Sequence, residues 1–232
     1  MSLPVVILAG GLAKRMRPLT ETVPKSLLPV AGRPFLDWQL DLLKENGIQK
    51  VVICAGYLGS QIEDYVSGRD YGMEILFSFD GECPLGTGGA VKKAVAKAGE
   101  AFFVLYGDSY LRIDFEKVEY SWRVSDKAAL MTVFENDNRW DASNVQYVDG
   151  KILCYSKLKS NGTMHYIDYG LGILTAASLQ NYGRIFDLAD VYSDLAKNGG
   201  LAGYEADKRF YEIGTRNGWK ELEERMANKN ES

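Results

Sequence analysis

Leu3-Pro4-Val5-Val6-Ile7-Leu8-Ala9-Gly10-Gly11 is an apolar run of strand formers stopped by two glycines. Apolar residues without polar alternation read as a strand buried on both faces. Val51-Val52-Ile53-Cys54-Ala55, Glu74 to Phe79 and Ala101 to Tyr106 read as three further strands. Helical patterns separate them. Pro34 to Asn46 places Phe35, Trp38, Leu42 and Leu43 on one face, with Gly47 behind it as a stop. Gly59 to Val66 predicts a short helix and Ala90 to Ala98 another. This alternation predicts an α/β fold, a Rossmann-like and mostly parallel sheet with helices on both faces.

Beyond residue 127 the pattern is mixed. Ala128 to Phe134, Asn144 to Val148 and Ile152 to Tyr155 read as strands, the last two joined by the hairpin signal Asp149-Gly150. Tyr166 to Leu174 reads as a strand in which Gly170 and Gly172 imply close backbone approach. Asp187 to Lys197 is a helix capped by Asp187, and Arg216 to Met226 a charged closing helix. No repeat or linker divides the chain. A single domain over 1–227 is expected, its halves 1–127 and 128–227, with Asn228 to Ser232 as a tail.

The 232 residues are 46% hydrophobic and 25% charged, which excludes disordered and collagen-like classes. With 27 basic against 31 acidic residues the net charge is -4, so a nucleic-acid partner is not expected. No apolar run approaches the length of a membrane span and no leader pattern is seen, so the expected location is cytoplasmic. Cys54, Cys83 and Cys154 form neither a disulfide framework nor a CxxC pair. One histidine, His165, leaves little room for a histidine-based nucleophilic mechanism.

The chemistry-bearing stretch runs on from the first strand. It is Leu8-Ala9-Gly10-Gly11-Leu12-Ala13-Lys14-Arg15-Met16-Arg17-Pro18-Leu19-Thr20, then Pro24-Lys25-Ser26-Leu27-Leu28-Pro29-Val30. Glycines after a strand present bare backbone N–H groups, and the cations Lys14, Arg15, Arg17 and Lys25 follow. Fixed donors with cations suit a polyphosphate, although a turn carrying solvated charges has the same composition. Neither GxxxxGK[ST] nor GxGxxG is present. Gly107-Asp108, after an apolar strand, places a carboxylate at the sheet edge where α/β proteins bind ligands.

Together these motifs resemble the sugar-1-phosphate nucleotidyltransferase family, with its opening LAGGxGxRLxPLT and PKxLxPV. Pro84-Leu85-Gly86-Thr87-Gly88-Gly89, Tyr106-Gly107-Asp108 and Phe210-Tyr211-Glu212-Ile213-Gly214-Thr215 follow in the family's order. The resemblance implies transfer of a nucleoside monophosphate from a nucleoside triphosphate to a sugar 1-phosphate. It assigns Arg15, Lys25 and Asp108 to catalysis. Backbone of Ala9, Gly10, Gly11, Leu85, Gly86, Gly88 and Gly107 would hold the nucleotide. Asp108 and Glu212 would hold Mg²⁺, and Lys157, Tyr169 and Gly170 the sugar phosphate. Three departures stand out: Ala13 replaces a glycine, Glu212 an aspartate, and Ser156 the glutamate usual before Lys157. Within the family the pattern leans towards the compact guanylyltransferases of heptose 1-phosphate. The alternatives are uridylyltransferases of N-acetylmuramate 1-phosphate, phosphocholine cytidylyltransferases, or a homologue that binds without turnover.

Overall fold

A computed structural model describes residues 2–157 and 162–227; the expected tail, 228–232, lies outside them. The elements of the first half are β1 (Val5–Leu8), β2 (Pro29–Val30), β3 (Arg33–Pro34), α1 (Phe35–Glu45), β4 (Lys50–Ala55), α2 (Gly59–Val66), β5 (Glu74–Phe79), α3 (Gly86–Ala98), β6 (Ala101–Tyr106), β7 (Ser109–Tyr110) and α4 (Phe115–Ser125). The second half adds β8 (Ala129–Glu135), β9 (Val145–Val148), β10 (Lys151–Tyr155), β11 (Tyr166–Thr175), α5 (Leu188–Lys197), β12 (Leu201–Glu205), β13 (Tyr211–Glu212) and α6 (Arg216–Ala227).

Nine strands form one sheet in the order β5-β4-β1-β6-β11-β8-β12-β10-β9. The first four are parallel, as continuous apolar runs dictate. β11 then pairs antiparallel with β6 and β8, so the sheet as a whole is mixed. The α/β class with helices on both faces is therefore the one observed. One face packs on α1, α2, α4 and α6 through Phe35, Leu40, Ile62, Phe115 and Leu222. The other packs on α3 and α5 through Val91, Ala94, Leu188 and Val191.

Besides the two-residue strands β2, β3, β7 and β13, three features depart from the sequence reading. α3 starts at Gly86 rather than Ala90, although glycine is a poor helix former. Its first turn is held from outside, the N–H groups of Gly88 and Gly89 both donating to the Phe186 carbonyl at 3.1 and 3.3 Å. α4 was not expected, because only Phe115 and Val118 are buried while Tyr120 and Val124 face solvent. β12, with Gly203 in its middle, was not expected either; it is sandwiched between β8 and β10. The anticipated hairpin at Asp149-Gly150 is present, both residues at positive φ (48° and 79°).

Candidate active site

A cavity of about 530 Å³ opens along the C-terminal edge of the parallel strands, where such sheets bind ligands. Its wall takes Ala9, Gly10 and Gly11 beyond β1, Gly56 beyond β4, Asp80 beyond β5, and Gly107 and Asp108 beyond β6. Gly107 is obligatory here: a Cβ would collide with the Leu8 carbonyl, which accepts the Gly107 N–H at 3.1 Å. Gly86 and Thr87 bring the positive end of α3 to the same cavity. Leu85 and Gly88 do not line it. Leu85 is buried, and the Gly88 N–H is spent on Phe186.

Lys25 sits on a tight turn after Pro24 and reaches Asp108, Nζ to Oδ2 at 2.6 Å. The two are only 21% and 23% exposed, so each charge is partly desolvated and depends on the other. Glu212 arrives from the far end of the chain on a two-strand ribbon in which β13 pairs antiparallel with β7, Glu212 opposite Ser109. The Ile213 N–H donates to the Asp108 carbonyl at 2.9 Å, closing that ribbon next to Asp108. The Glu212 carboxylate is oriented by the Gly214 N–H on Oε2 (3.0 Å) and the Thr215 hydroxyl on Oε1 (2.9 Å).

Gly214 marks where the charges converge. A Cβ there would collide with Glu212 Oε2 and lie 2.9 Å from Asp108 Oδ2 and 3.3 Å from Arg15 Nη2. Two carboxylates and a guanidinium thus surround one point, with Lys25 on Asp108. The pair of hard oxygen donors fits Mg²⁺, which completes its shell with water and phosphate oxygens. Gly214→Ala is expected to push Glu212 aside and cut turnover at least tenfold, while the fold stays intact because the nearest atoms the Cβ meets all belong to side chains. Steady-state kinetics beside a thermal melt checks this; an unimpaired variant would place the working geometry elsewhere.

Arg15 is exposed on the short turn Lys14–Met16, at the flank of the cavity and not in its wall. Ala13, just before that turn, sits in the left-handed region (φ 45°), where a glycine would be unstrained. α6 is tied to this loop by Arg216, which donates to the Arg17 carbonyl (2.9 Å), and to β2 by Trp219, which donates to that of Pro29 (2.8 Å).

Lys157, Tyr169 and Gly170, which the resemblance assigns to the sugar phosphate, do not line the cavity. Thr87, in the wall, donates to Asp187, which caps α5 and takes Lys157 at 2.7 Å. Tyr106, also in the wall, donates to Asp168 at 2.9 Å. Tyr169 points the opposite way, fully buried and edge-on to Phe210 in the other core. Gly170 (φ 94°) bulges β11 beside Ser109 and Tyr106, which is the close approach its sequence implies.

Sequence reasoning missed three polar groups. Gln39 lies buried on the apolar face of α1 and donates to the carbonyls of Tyr106 (3.0 Å) and Ser109 (2.8 Å), bracing the turn that carries Asp108. A glutamine amid Phe35, Leu36, Leu40 and Leu43 was its only signal. Asp80 and Asp168 each stand at a strand end or bulge, visible only once neighbours are placed.

Burial pushes the Asp168 carboxyl up to about 6, against the opposing pull of the Gly170 N–H, the Tyr106 hydroxyl and Lys157. The folded protein therefore holds this proton to higher pH than the unfolded chain does. From pH about 4 to 6 the unfolded chain loses this proton while the fold keeps it, so stability falls as pH rises, and above about 6 the loss levels off. Asp168→Asn is expected to stabilise the protein by about 2 kcal/mol at pH 7.5, a gap that closes as pH falls through 6 towards 4. Urea unfolding at both pH values decides it; a gap independent of pH would mean that Asp168 is not the titrating group.

The remaining candidates are structural. Burial pushes the Cys54 thiol up to about 12, which leaves it inert. His165 is exposed beside Asp137 at 3.0 Å and does not line the cavity. No helix among the described residues is long and apolar enough to cross a membrane.

The glycine loop, the paired carboxylates and the two cations gather at one edge of an α/β sheet, and comparison with known proteins places the chain more closely. Residues 4–142 match the model of the nucleotidyl transferase family, and the chain belongs to that family. It is 39% identical over 126 residues to a D-glycero-alpha-D-manno-heptose 1-phosphate guanylyltransferase of Aneurinibacillus thermoaerophilus, covering 54% of each chain. It is 44% identical over 112 residues to an N-acetylmuramate alpha-1-phosphate uridylyltransferase of Neisseria meningitidis serogroup B, covering 47% of this chain and 48% of the relative. The matched stretch thus spans about half the length of these curated relatives. Among solved structures, HddC from Yersinia pseudotuberculosis complexed with GMP-PN superposes with a TM-score of 0.82 at 26% identity, covering 97% of this chain and all of that one.

Proposed function

We propose that the chain transfers a nucleoside monophosphate from a nucleoside triphosphate to a sugar 1-phosphate, forming a nucleoside diphosphate sugar and releasing pyrophosphate. The observation that carries this is the gathering of Lys25, Arg15, Asp108 and Glu212 at one end of a nucleotide-sized cavity. An oxygen of the sugar phosphate attacks the α-phosphorus. The bond from that phosphorus to the bridging oxygen breaks, and pyrophosphate leaves with the electron pair. The attacking phosphate is already close to dianionic at neutral pH, its second pKa being about 6. It needs no general base, consistent with a cavity wall free of histidine among the described residues.

The protein's task is placement and charge neutralisation. Lys25 would meet the α-phosphate and the incoming phosphate, and Arg15 the pyrophosphate as its charge grows. Asp108 and Glu212 would hold Mg²⁺, which neutralises triphosphate charge when bound. The half up to residue 127 would bind the nucleotide and 128–227 the acceptor, with Lys157 released from Asp187 to meet the sugar phosphate. A triphosphate substrate also implies a cytoplasmic location. The relatives that match support a heptose 1-phosphate as acceptor with a guanine nucleotide as donor.

Pyrophosphate release tests this, with four nucleoside triphosphates against a panel of sugar 1-phosphates and Mg²⁺. Turnover of at least one sugar phosphate is expected. Release with none of them, beside intact triphosphate binding, would reduce the chain to a binding protein.

A further inference from the structure

We propose that Gln39 is the positioning residue of the candidate metal site: its amide sets the separation of Asp108 and Glu212, and through it the affinity of that carboxylate pair for Mg²⁺. The inference rests on the nucleotidyl-transfer reading and adds to it the group that holds the metal ligands in place.

Gln39 lies in the middle of α1, 1% exposed, among the fully buried Phe35, Leu36, Leu40 and Leu43. A primary amide costs free energy in such a place unless its hydrogen bonds are made. Nε2 donates twice, to the Tyr106 carbonyl at 3.0 Å and to the Ser109 carbonyl at 2.8 Å. Oε1 is buried without a partner among the described residues. The amide cannot turn over, because its oxygen would then face two carbonyl oxygens. The core thus carries an unmatched acceptor where an apolar side chain would leave none, and the return is two donated bonds.

Those two carbonyls bracket Asp108. Tyr106 is the last residue of β6 and Ser109 the first of β7, so one side chain spans both ends of the turn Gly107-Asp108. The same turn governs Glu212. Glu212 stands opposite Ser109 across β7 and β13, and the Ile213 N–H reaches the Asp108 carbonyl at 2.9 Å. With two residues in each strand, this ribbon is too short to hold a fixed place against the main sheet by its own pairing. Gln39 ties the two together. It anchors β6, in the main sheet, and β7, in the ribbon, to one closely packed helix. Asp108 is held through its own turn, and Glu212 at one remove through Ser109.

Gln39 does not line the cavity, so its effect on a ligand passes through the groups it places. Mg²⁺ demands near-ideal octahedral geometry, and small errors in the spacing of two carboxylate ligands cost affinity.

The test compares wild type, Gln39→Met and Gln39→Glu by calorimetric titration of GTP, and of UTP in parallel, with and without Mg²⁺. Methionine fills the space and donates nothing. Glutamate keeps the shape and, when ionised, sets acceptors against two carbonyls. For the triphosphate that wild type binds more tightly, Mg²⁺ is expected to raise affinity about tenfold or more, and in both variants that gain should fall about tenfold. Metal-free affinity should be unchanged. Placed on Asp108→Asn, Gln39→Met should have no further effect, because the ligand it positions is already gone. These are affinities of folded protein, so a variant that folds in lower yield still reports them. An undiminished Mg²⁺ gain in both variants, an equal loss with and without Mg²⁺, or additive effects of Gln39→Met and Asp108→Asn would overturn the assignment. So would a wild type whose triphosphate binding gains nothing from Mg²⁺. Because binding is read without turnover, a chain that transfers to sugar phosphates and lacks these effects refutes only the role of Gln39. A chain that shows them and transfers to no sugar phosphate refutes only the transferase reading.

Discussion

Asp108→Asn is expected to lower turnover by about 10²- to 10³-fold, the usual cost of removing one charge-stabilising group from a transition state. The side chain stands at the C-terminal edge of β6, its Oδ2 at 2.6 Å from Lys25 and facing Glu212 across Gly214. The amide keeps the shape and loses the charge that would hold Mg²⁺. Two effects on the fold oppose each other: Lys25 loses its partner, and the repulsion from Glu212 is relieved. Stability should therefore change by less than about 1 kcal/mol. The measurement is initial rate against Mg²⁺ concentration, beside a thermal melt. Near wild-type turnover at saturating Mg²⁺ would remove Asp108 from the metal site.

Lys25→Ala should cost as much activity, for a different reason. In the resting protein the ammonium neutralises Asp108; during transfer it would neutralise phosphate. Its removal leaves Asp108 and Glu212 as neighbouring carboxylates beside Arg15, so a small loss of stability, about 1 kcal/mol, is expected as well. The two residues act on one another directly, so their effects should not add. The double variant Lys25→Ala with Asp108→Asn should be no worse than about tenfold below the poorer single variant. Full additivity of the two losses would show that the ion pair is incidental to catalysis. A Lys25→Ala protein that unfolds, with any folded fraction fully active, would make Lys25 a structural residue.

The legible part of the fold is the part made by local pattern. β1, β4 and β6 are apolar runs because both their faces are covered, and such a run can be read without knowing its neighbours. α1 and α5 show their buried stripe and, for α5, the Asp187 cap. Legibility fails where stability comes from partners distant in sequence. α4 carries too few buried residues to declare itself. β7 and β13 are two residues each and exist only because residues 109–110 meet 211–212. The glycine-rich start of α3 is helical against its propensity because the Phe186 carbonyl holds two of its N–H groups.

The same division runs through the site. Sequence alone named the candidate side chains: the cations Arg15 and Lys25, the carboxylates Asp108 and Glu212, and the glycines beside them. A strand ending in Gly-Asp states its own geometry, since the sheet edge is implied by the strand. Only the tertiary structure decided that Asp108 and Glu212 converge on Gly214, and that Tyr169 turns into the core while Asp168 faces Tyr106. It alone put Asp80 in the cavity wall and Gln39 beneath the Asp108 turn. Periodicity and motif spacing report each residue's relation to its own element, repeating every two or 3.6 residues. Which carboxylate meets which cation depends on contacts between elements far apart in the chain, set by close packing of the whole core, and no local pattern records them.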